Sequence, residues 1–232
     1  MTQADLMWLR RQAVGLLLVA IVLLLVFENT RLDVRLSQYF FDAAAGNFPL
    51  QHHWLFERVL HHGFKSAAYV VGLAGIFFCI YAIHRGVPWL SRPQAMLAAI
   101  GTVLIPLATT ALKSMTNRHC PWDVIDFGGY APYVSLFATT PGEIARGLCF
   151  PAGHASAGFV WVVWYLALRS TRPAWAKWAL WAGLLGGMVA GVDRLLQGAH
   201  FLSHVLWSGW FAWALSLLLC WLLKVPQGRQ LA

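Results

Sequence analysis

The chain has 232 residues, 59% of them hydrophobic and only 11% charged, with 17 Lys and Arg against 9 Asp and Glu for a formal net charge of +8. A soluble domain carries about 25% charged residues, so this composition excludes one and describes an integral membrane protein. The basic residues are scattered between apolar runs, as in loops that flank membrane spans, and nucleic acid is not an expected partner.

Crossing a bilayer takes about 20 apolar residues, fewer where polar ends snorkel. Six segments qualify, near 8–27, 65–84, 94–112, 154–168, 175–195 and 201–223. The expected fold is therefore all-α: a six-transmembrane-helix bundle forming a single domain over 1–232, with a motif-bearing core over 94–223. Arg10 and Arg11 precede the first apolar run as in a signal peptide. Glu28-Asn-Thr-Arg-Leu offers no small-residue cleavage site, so an uncleaved anchor is expected. Thirteen tryptophans fit aromatic belts at the two interfaces.

Between the first two spans, Leu50, Trp54, Leu55, Val59 and Leu60 recur at helical spacing, with His52, His53, Glu57, Arg58, His61 and His62 in the gaps. This predicts an amphipathic helix lying in the membrane interface. Its paired histidines read as interfacial polar residues, with metal ligation as the alternative. The second long loop, 113–150, is rich in Gly, Pro and aromatics. Trp122, Phe127, Tyr130, Tyr133 and Phe137 predict an ordered loop packed over a site, or a merely structural cap. Cys120 and Cys149 bracket this loop, and a bridge between them would close it. Cys79 and Cys220 fall within spans and read as packing residues.

One set of loops is short and holds Arg10, Arg11, Arg85, Arg92, Arg169, Arg172, Lys177, Lys224 and Arg229, with Asp5 the only acid beside them. By the positive-inside rule both termini are expected in the cytoplasm and the long loops outside, in a bacterial inner membrane.

Three polar clusters end apolar segments on that outer side: Lys113 to Pro121, Pro151-Ala-Gly-His154, and Asp193-Arg194 through His200 to His204. An ionisable residue at membrane depth is costly and by default marks a functional site. Lys113, Arg118 and Arg194 suit an anionic lipid head group, since arginine's fork matches phosphate oxygens and lysine supplies a point charge. Gly153 lets an anion approach the amides of a helix start. His154 and His200 can exchange protons near neutral pH. Together these groups could transfer a phosphoryl group without a metal or other cofactor.

In this order the clusters resemble the type 2 phosphatidic acid phosphatase superfamily, which also holds bacterial acid phosphatases and vanadium haloperoxidases. Its pattern is Lys, six residues, Arg-Pro; then Pro-Ser-Gly-His; then Ser-Arg, five residues, His, three residues, Asp. Here Lys113 and Pro121 keep the first spacing, Pro151-Ala152-Gly153-His154 forms the second motif, and Asp193-Arg194, His200 and His204 form the third. The resemblance implies a membrane lipid phosphatase in which His200 attacks phosphorus and His154 serves the leaving oxygen. Lys113, Arg118, Arg194 and the Gly153 amide would hold phosphoryl oxygens, and His204 would orient His200. Implied substrates are undecaprenyl pyrophosphate, lipid A phosphates or glycerophospholipid phosphates, with a lipid phosphotransferase as the alternative.

The chain departs from the pattern at four positions. Ala152 lacks the serine hydroxyl, and Cys120 stands where an arginine belongs. Arg118 comes two residues early, which on a continuous helix turns it about 200° from the family's position. A break before Cys120 would be needed, or Arg146 would substitute. His204 replaces the aspartate that orients the nucleophile, a role Asp193 could take instead. Other classes also remain: histidines that merely pack between helices, a zinc shared by His200 and His204, or haem ligation in an electron carrier.

Overall fold

The computed structural model describes residues 1–228, so the position expected for Arg229 lies outside the described residues. In chain order the helices are α1 (Gln3–Asn29), α2 (Leu32–Gln38), a π-helix (Leu55–Gly63), α3 (Phe64–Arg85), α4 (Arg92–Thr116), α5 (Gly153–Phe159), α6 (Val162–Leu168), α7 (Pro173–Leu196) and α8 (Leu202–Leu222). Two short 3-10 turns, Pro121–Asp123 and Ile125–Phe127, lie in the loop after α4. Among the described residues there is no strand, and the architecture is the all-α membrane bundle that the apolar segments predict.

Local chemistry explains where the helices begin. Thr2 and Asp5 form a reciprocal cap on α1, and Ser91 and Gln94 do the same on α4. Pro173 opens α7, where its missing N–H costs nothing. Five helical stretches are long and apolar enough to cross a membrane: Gln3–Asn29, Leu55–Arg85, Arg92–Thr116, Pro173–Leu196 and Leu202–Leu222. Leu17, Val22 and Leu25 on α1, with Val70, Phe77 and Tyr81 on α3, stay exposed, as lipid-facing side chains would.

The remaining apolar segment, expected over 154–168, is a shorter helical stretch over Gly153–Leu168; α5 and α6 are its two halves, and Val160 and Trp161 between them stay right-handed helical. Val162, Val163, Leu166 and Ala167 on α6 are almost fully buried, so this element is enclosed by protein rather than lipid. Close approach to α7 depends on glycine. A Cβ on Gly158 would lie 2.3 Å from the Gly187 nitrogen, and one on Gly187 would lie 2.4 Å from the Phe159 ring.

The amphipathic stretch is helical from Leu55 but is not a separate element. Gly63 stays in the right-handed helical region and Phe64 follows without a break, so the stretch continues α3 as one rod over Leu55–Arg85. Nothing at Gly63–Phe64 interrupts the helix, and α3 therefore sets its direction.

The start of α1 is tied to the last described residues. Asp5 Oδ1 accepts from the backbone N–H of Gln227 at 2.8 Å and of Gly228 at 2.7 Å. The end of α4, the start of α5 and the α7–α8 turn lie at the opposite end of the bundle. A second apolar cluster of Val34, Phe48, Val124, Phe127 and Phe201 roofs that end. Trp122 and Tyr133 pack against this cluster as expected of an ordered loop, whereas Tyr130 and Phe137 are exposed.

Candidate active site

The three polar clusters meet at the roofed end. α4 stops at Thr116 because Asn117 adopts the left-handed conformation (φ 47). The Asn117 side chain then accepts from the Gly147 N–H at 2.8 Å, and Thr116 Oγ1 donates to the Phe150 carbonyl at 2.5 Å. The Cys149 N–H donates to the Arg118 carbonyl at 2.8 Å, and a Cys120–Cys149 disulfide crosses the same seam. The long loop is thus closed at its base, with Lys113 in the last turn of α4.

His154 is the second residue of α5. Its ring lies flat on that of His61, with centroids 3.7 Å apart and planes 22° from parallel. A Cβ at Gly153 would meet nothing within 4 Å.

His200 sits in the turn between α7 and α8. Gly198 makes the turn possible with φ +71, and Phe48 presses so closely on it that a Cβ there would lie 2.3 Å from the Phe48 ring. The N–H groups of Ala199 and His200 both donate to the Arg194 carbonyl, at 2.9 and 3.3 Å. Arg194 Nη1 donates to Gln197 Oε1 at 2.6 Å, and its guanidinium lies 5.7 Å from the Trp122 ring centroid. Gln197 is fully buried and donates back to the Asp193 carbonyl at 3.2 Å, so it fixes the arginine from below.

The His200 Nδ1 faces the Cys149 sulfur at 3.3 Å. Burial pushes the His200 pKa well below its ordinary value, and the charges of His204, Lys113, Arg194 and His154 push it the same way. The charges of these four groups therefore reach it. His204, in the first turn of α8, has its ring centroid 5.9 Å from that of His200 and wedges against Phe150 and Phe201. Its Nδ1 is buried without a hydrogen-bond partner. Cys149, His200 and His204 bring potential ligand atoms within 4.8 Å of one another. The sulfur is already bonded to Cys120, which leaves two imidazoles and no thiolate for a metal.

The charges of Lys113, His154, Arg194 and His204 reach His200, with Gly153 next to His154, whereas the Arg118 guanidinium, whose charge reaches His204, is taken up by the loop. Its Nη1 donates to the Asn117 carbonyl at 3.0 Å and Thr140 Oγ1 at 3.2 Å, and its Nη2 donates to the carbonyls of Leu136 and Ala138. The helix break expected before Cys120 is present, but it aims this guanidinium into the loop. Arg146, the expected alternative, is exposed and is not among the groups that act on His200. Asp193 is buried with one carboxylate oxygen unpartnered and is not among the groups acting on His200.

Two residues near the site were not singled out by their spacing. Asp33 of α2 accepts from the Ser203 N–H at 3.0 Å and from its hydroxyl, and so caps α8 beside His204. Burial raises its pKa to about 6, against the lowering effect of those hydrogen bonds. The other is His61, which the sequence reads as an interfacial polar residue, with metal ligation as the alternative. Nothing in one-dimensional spacing places it over His154.

A groove of about 440 Å³ runs from Gly153, His154 and Lys65 between α3 and α4, with Tyr69, Leu73, Val103 and Leu107 along it. Those four side chains are exposed, so in a bilayer the groove opens toward lipid.

Among family models, that of the PAP2 superfamily matches residues 94–227, more than half of the chain. A search of curated proteins finds no match. Among solved structures the chain is similar to one described as the crystal structure of the first transmembrane PAP2 type phosphatidylglycerolphosphate phosphatase from Bacillus subtilis. The likeness covers 91% of this chain and 93% of that one at 22% identity, with a TM-score of 0.50, and speaks to the fold. Motifs in order, the six-segment helical layout and the family match agree, and the chain belongs to the PAP2 superfamily as a multi-pass membrane phosphoric ester hydrolase.

Proposed function

We propose that this protein hydrolyses a phosphate monoester or diphosphate on a lipid head group through a phosphohistidine intermediate. The observation that carries this reading is that the charges of Lys113, His154 and Arg194 all act on His200, while His154 also lines an apolar, lipid-facing groove. The groove suits an acyl or prenyl chain, and the cations suit its phosphate.

With Nδ1 turned to Cys149, the Nε2 of His200 is the nitrogen left to attack phosphorus. That attack forms a P–N bond and breaks the bond to the lipid oxygen, which takes a proton from His154. In the second half His154 removes a proton from water, the water oxygen attacks phosphorus, and the P–N bond breaks to release phosphate. Lys113, Arg194 and the amide of Gly153 stabilise charge on the non-bridging oxygens. A neutral His200 at pH 7 fits a nucleophile that needs no prior deprotonation. His204 stands where the family's pattern has its orienting aspartate, and Arg118 serves as a brace for the loop rather than as a phosphate ligand.

Localisation follows from the bundle's two ends. The start of α1 and the last described residues share an end with the short basic loops, and the site is at the other. Cytoplasmic termini then put the site on the outer face of a bacterial inner membrane. The test is phosphate release in detergent from a panel of lipid phosphates, with EDTA present and His200→Ala alongside. Release that survives chelation and is lost in the variant supports the reading. Release that persists in the variant contradicts it.

A further inference from the structure

Polar groups at this site extend past those that would hold the transferred phosphoryl group. Lys113 and Arg194 act on His200. Two more groups come from a separate element, the rod formed by the π-helix and α3. His61 lies 3.7 Å from His154, ring on ring. Lys65, one turn further along the same rod, lines the mouth of the groove beside Gly153 and His154. His61, Arg194, Lys65 and Lys113 are the charged or titratable groups close enough to His154 to act on it. Two carboxylates, Asp193 and Glu57, act on Arg194, and neither is among the groups that act on His154. His62 turns its ring edge-on to His61 and is itself exposed.

Position decides what this second arm can hold. In an in-line displacement the entering and leaving atoms lie on opposite sides of phosphorus. On the proposed function, which this inference rests on, His200 enters and His154 serves the leaving oxygen. Groups that pack against His154 and lead into the groove therefore meet whatever is attached to that oxygen. A monoester would place a neutral glycerol or prenyl carbon there, for which a lysine and a second imidazole do nothing. A diphosphate would place a second anionic phosphate there, ahead of the apolar chain. His61 also has its Nδ1 buried without a partner, a donor or acceptor with nothing in the protein to satisfy it.

We infer that His61 and Lys65 form a second phosphate subsite and that the preferred substrate class is a lipid diphosphate. Its terminal phosphoryl goes to His200, and a lipid monophosphate leaves. Both residues are specificity-determining, since they touch the leaving phosphate and not the transferred one. The π-helical winding of Leu55–Gly63 brings His61 to this position, in keeping with the frequent use of such windings at functional sites.

The experiment compares a prenyl diphosphate with the monophosphate of the same chain length, using the full-length protein in detergent. The variants are His61→Phe, which keeps a ring stacked on His154, and Lys65→Met, which keeps an exposed side chain of similar length. Each variant is expected to lower the diphosphate-to-monophosphate ratio of kcat/KM by about tenfold or more, the size of one lost charge-assisted hydrogen bond. An unchanged ratio, whether both rates fall together or neither moves, would overturn the inference. Binding gives a readout independent of turnover. Wild-type protein should bind inorganic pyrophosphate more tightly than inorganic phosphate, and both variants should lose that difference. Equal affinity of the wild type for the two ions would also overturn the inference. Lack of phosphate release from every lipid by wild-type protein that still prefers pyrophosphate would instead be a failure of the proposed reaction.

Discussion

The Cys149 sulfur lies 3.3 Å from Nδ1 of His200, so a disulfide occupies the face of the imidazole to which a carboxylate would donate orientation and charge. A disulfide sulfur is neutral and a weak acceptor. The nucleophile is therefore held mainly by packing, by the Gly198 turn and by the loop that the disulfide closes. Reducing that bond should loosen the loop and the site together.

Cys120→Ser should accordingly cost stability. Closing a loop with a sequence separation of 29 is worth about 3–4 kcal/mol in the chain-entropy picture. The thermal midpoint of the variant in detergent should fall below that of the oxidised wild type and match that of wild type treated with a reductant. Equal midpoints for all three would show that the bridge does not stabilise the fold.

Arg118 and Arg194 should separate by mutation, although either could be a phosphate ligand by sequence. Arg194→Ala removes a cation at the reacting group and should lower kcat/KM by about 10²–10³. Arg118→Ala instead leaves the carbonyls of Leu136 and Ala138 without their donor. It should speed proteolysis within 136–146 and lower kcat/KM by less than Arg194→Ala does. Limited proteolysis and steady-state kinetics on the two variants decide the assignment.

This pair shows what was legible in the chain and what was not. Apolar segment length gave the helical membrane fold, because burial in lipid leaves a long one-dimensional signature. Motif spacing picked out His200 and the groups whose charges reach it, Lys113, His154, Arg194 and His204, since each stands at the end of a helix whose register is fixed. Arg118 escaped that logic because it lies past the helix end, where one left-handed residue, Asn117, redirects everything after it. His61 escaped because its partner is 93 positions away in sequence and meets it only through the packing of α3 beside α5. Asp33 was illegible for the same reason. The enclosure of Gly153–Leu168 by neighbouring helices was not legible, because hydropathy does not report it.

Asp33 should make stability depend on pH in the direction opposite to most carboxylates. Burial raises its folded-state pKa to about 6 from an ordinary 3.8. The folded protein therefore holds its proton more tightly than the unfolded chain does. The associated stability is fully present below about pH 4 and is lost as pH rises through 6. For this buried carboxyl the effect is on the order of 3 kcal/mol. Asp33→Asn can still accept from the Ser203 N–H, so it should flatten the change between pH 4 and 6 and be at least as stable as wild type at pH 8. Thermal midpoints across that range test this, and a wild type that gains stability from pH 4 to 6 relative to the variant would refute it.

The depressed His200 pKa sets the acid side of the rate profile. Because the imidazole is neutral well below its ordinary value, protonation of His200 should not limit kcat/KM until the pH is well under 6.5. His204→Asp places an anion where a histidine now stands. An anion favours the charged imidazole, so the acid limb of that variant should move to higher pH. A limb that stays in place would mean that residue 204 does not sense His200.

The covalent intermediate is the central claim, and one trapping experiment tests it most directly. Wild-type protein is mixed with a lipid phosphate labelled at its terminal phosphorus, quenched with alkali during the first turnover, digested and mapped. The account predicts base-stable, acid-labile label on the peptide that contains His200, undiminished by EDTA and absent in His200→Ala. Label on another residue, or normal turnover in the His200→Ala variant, would contradict it.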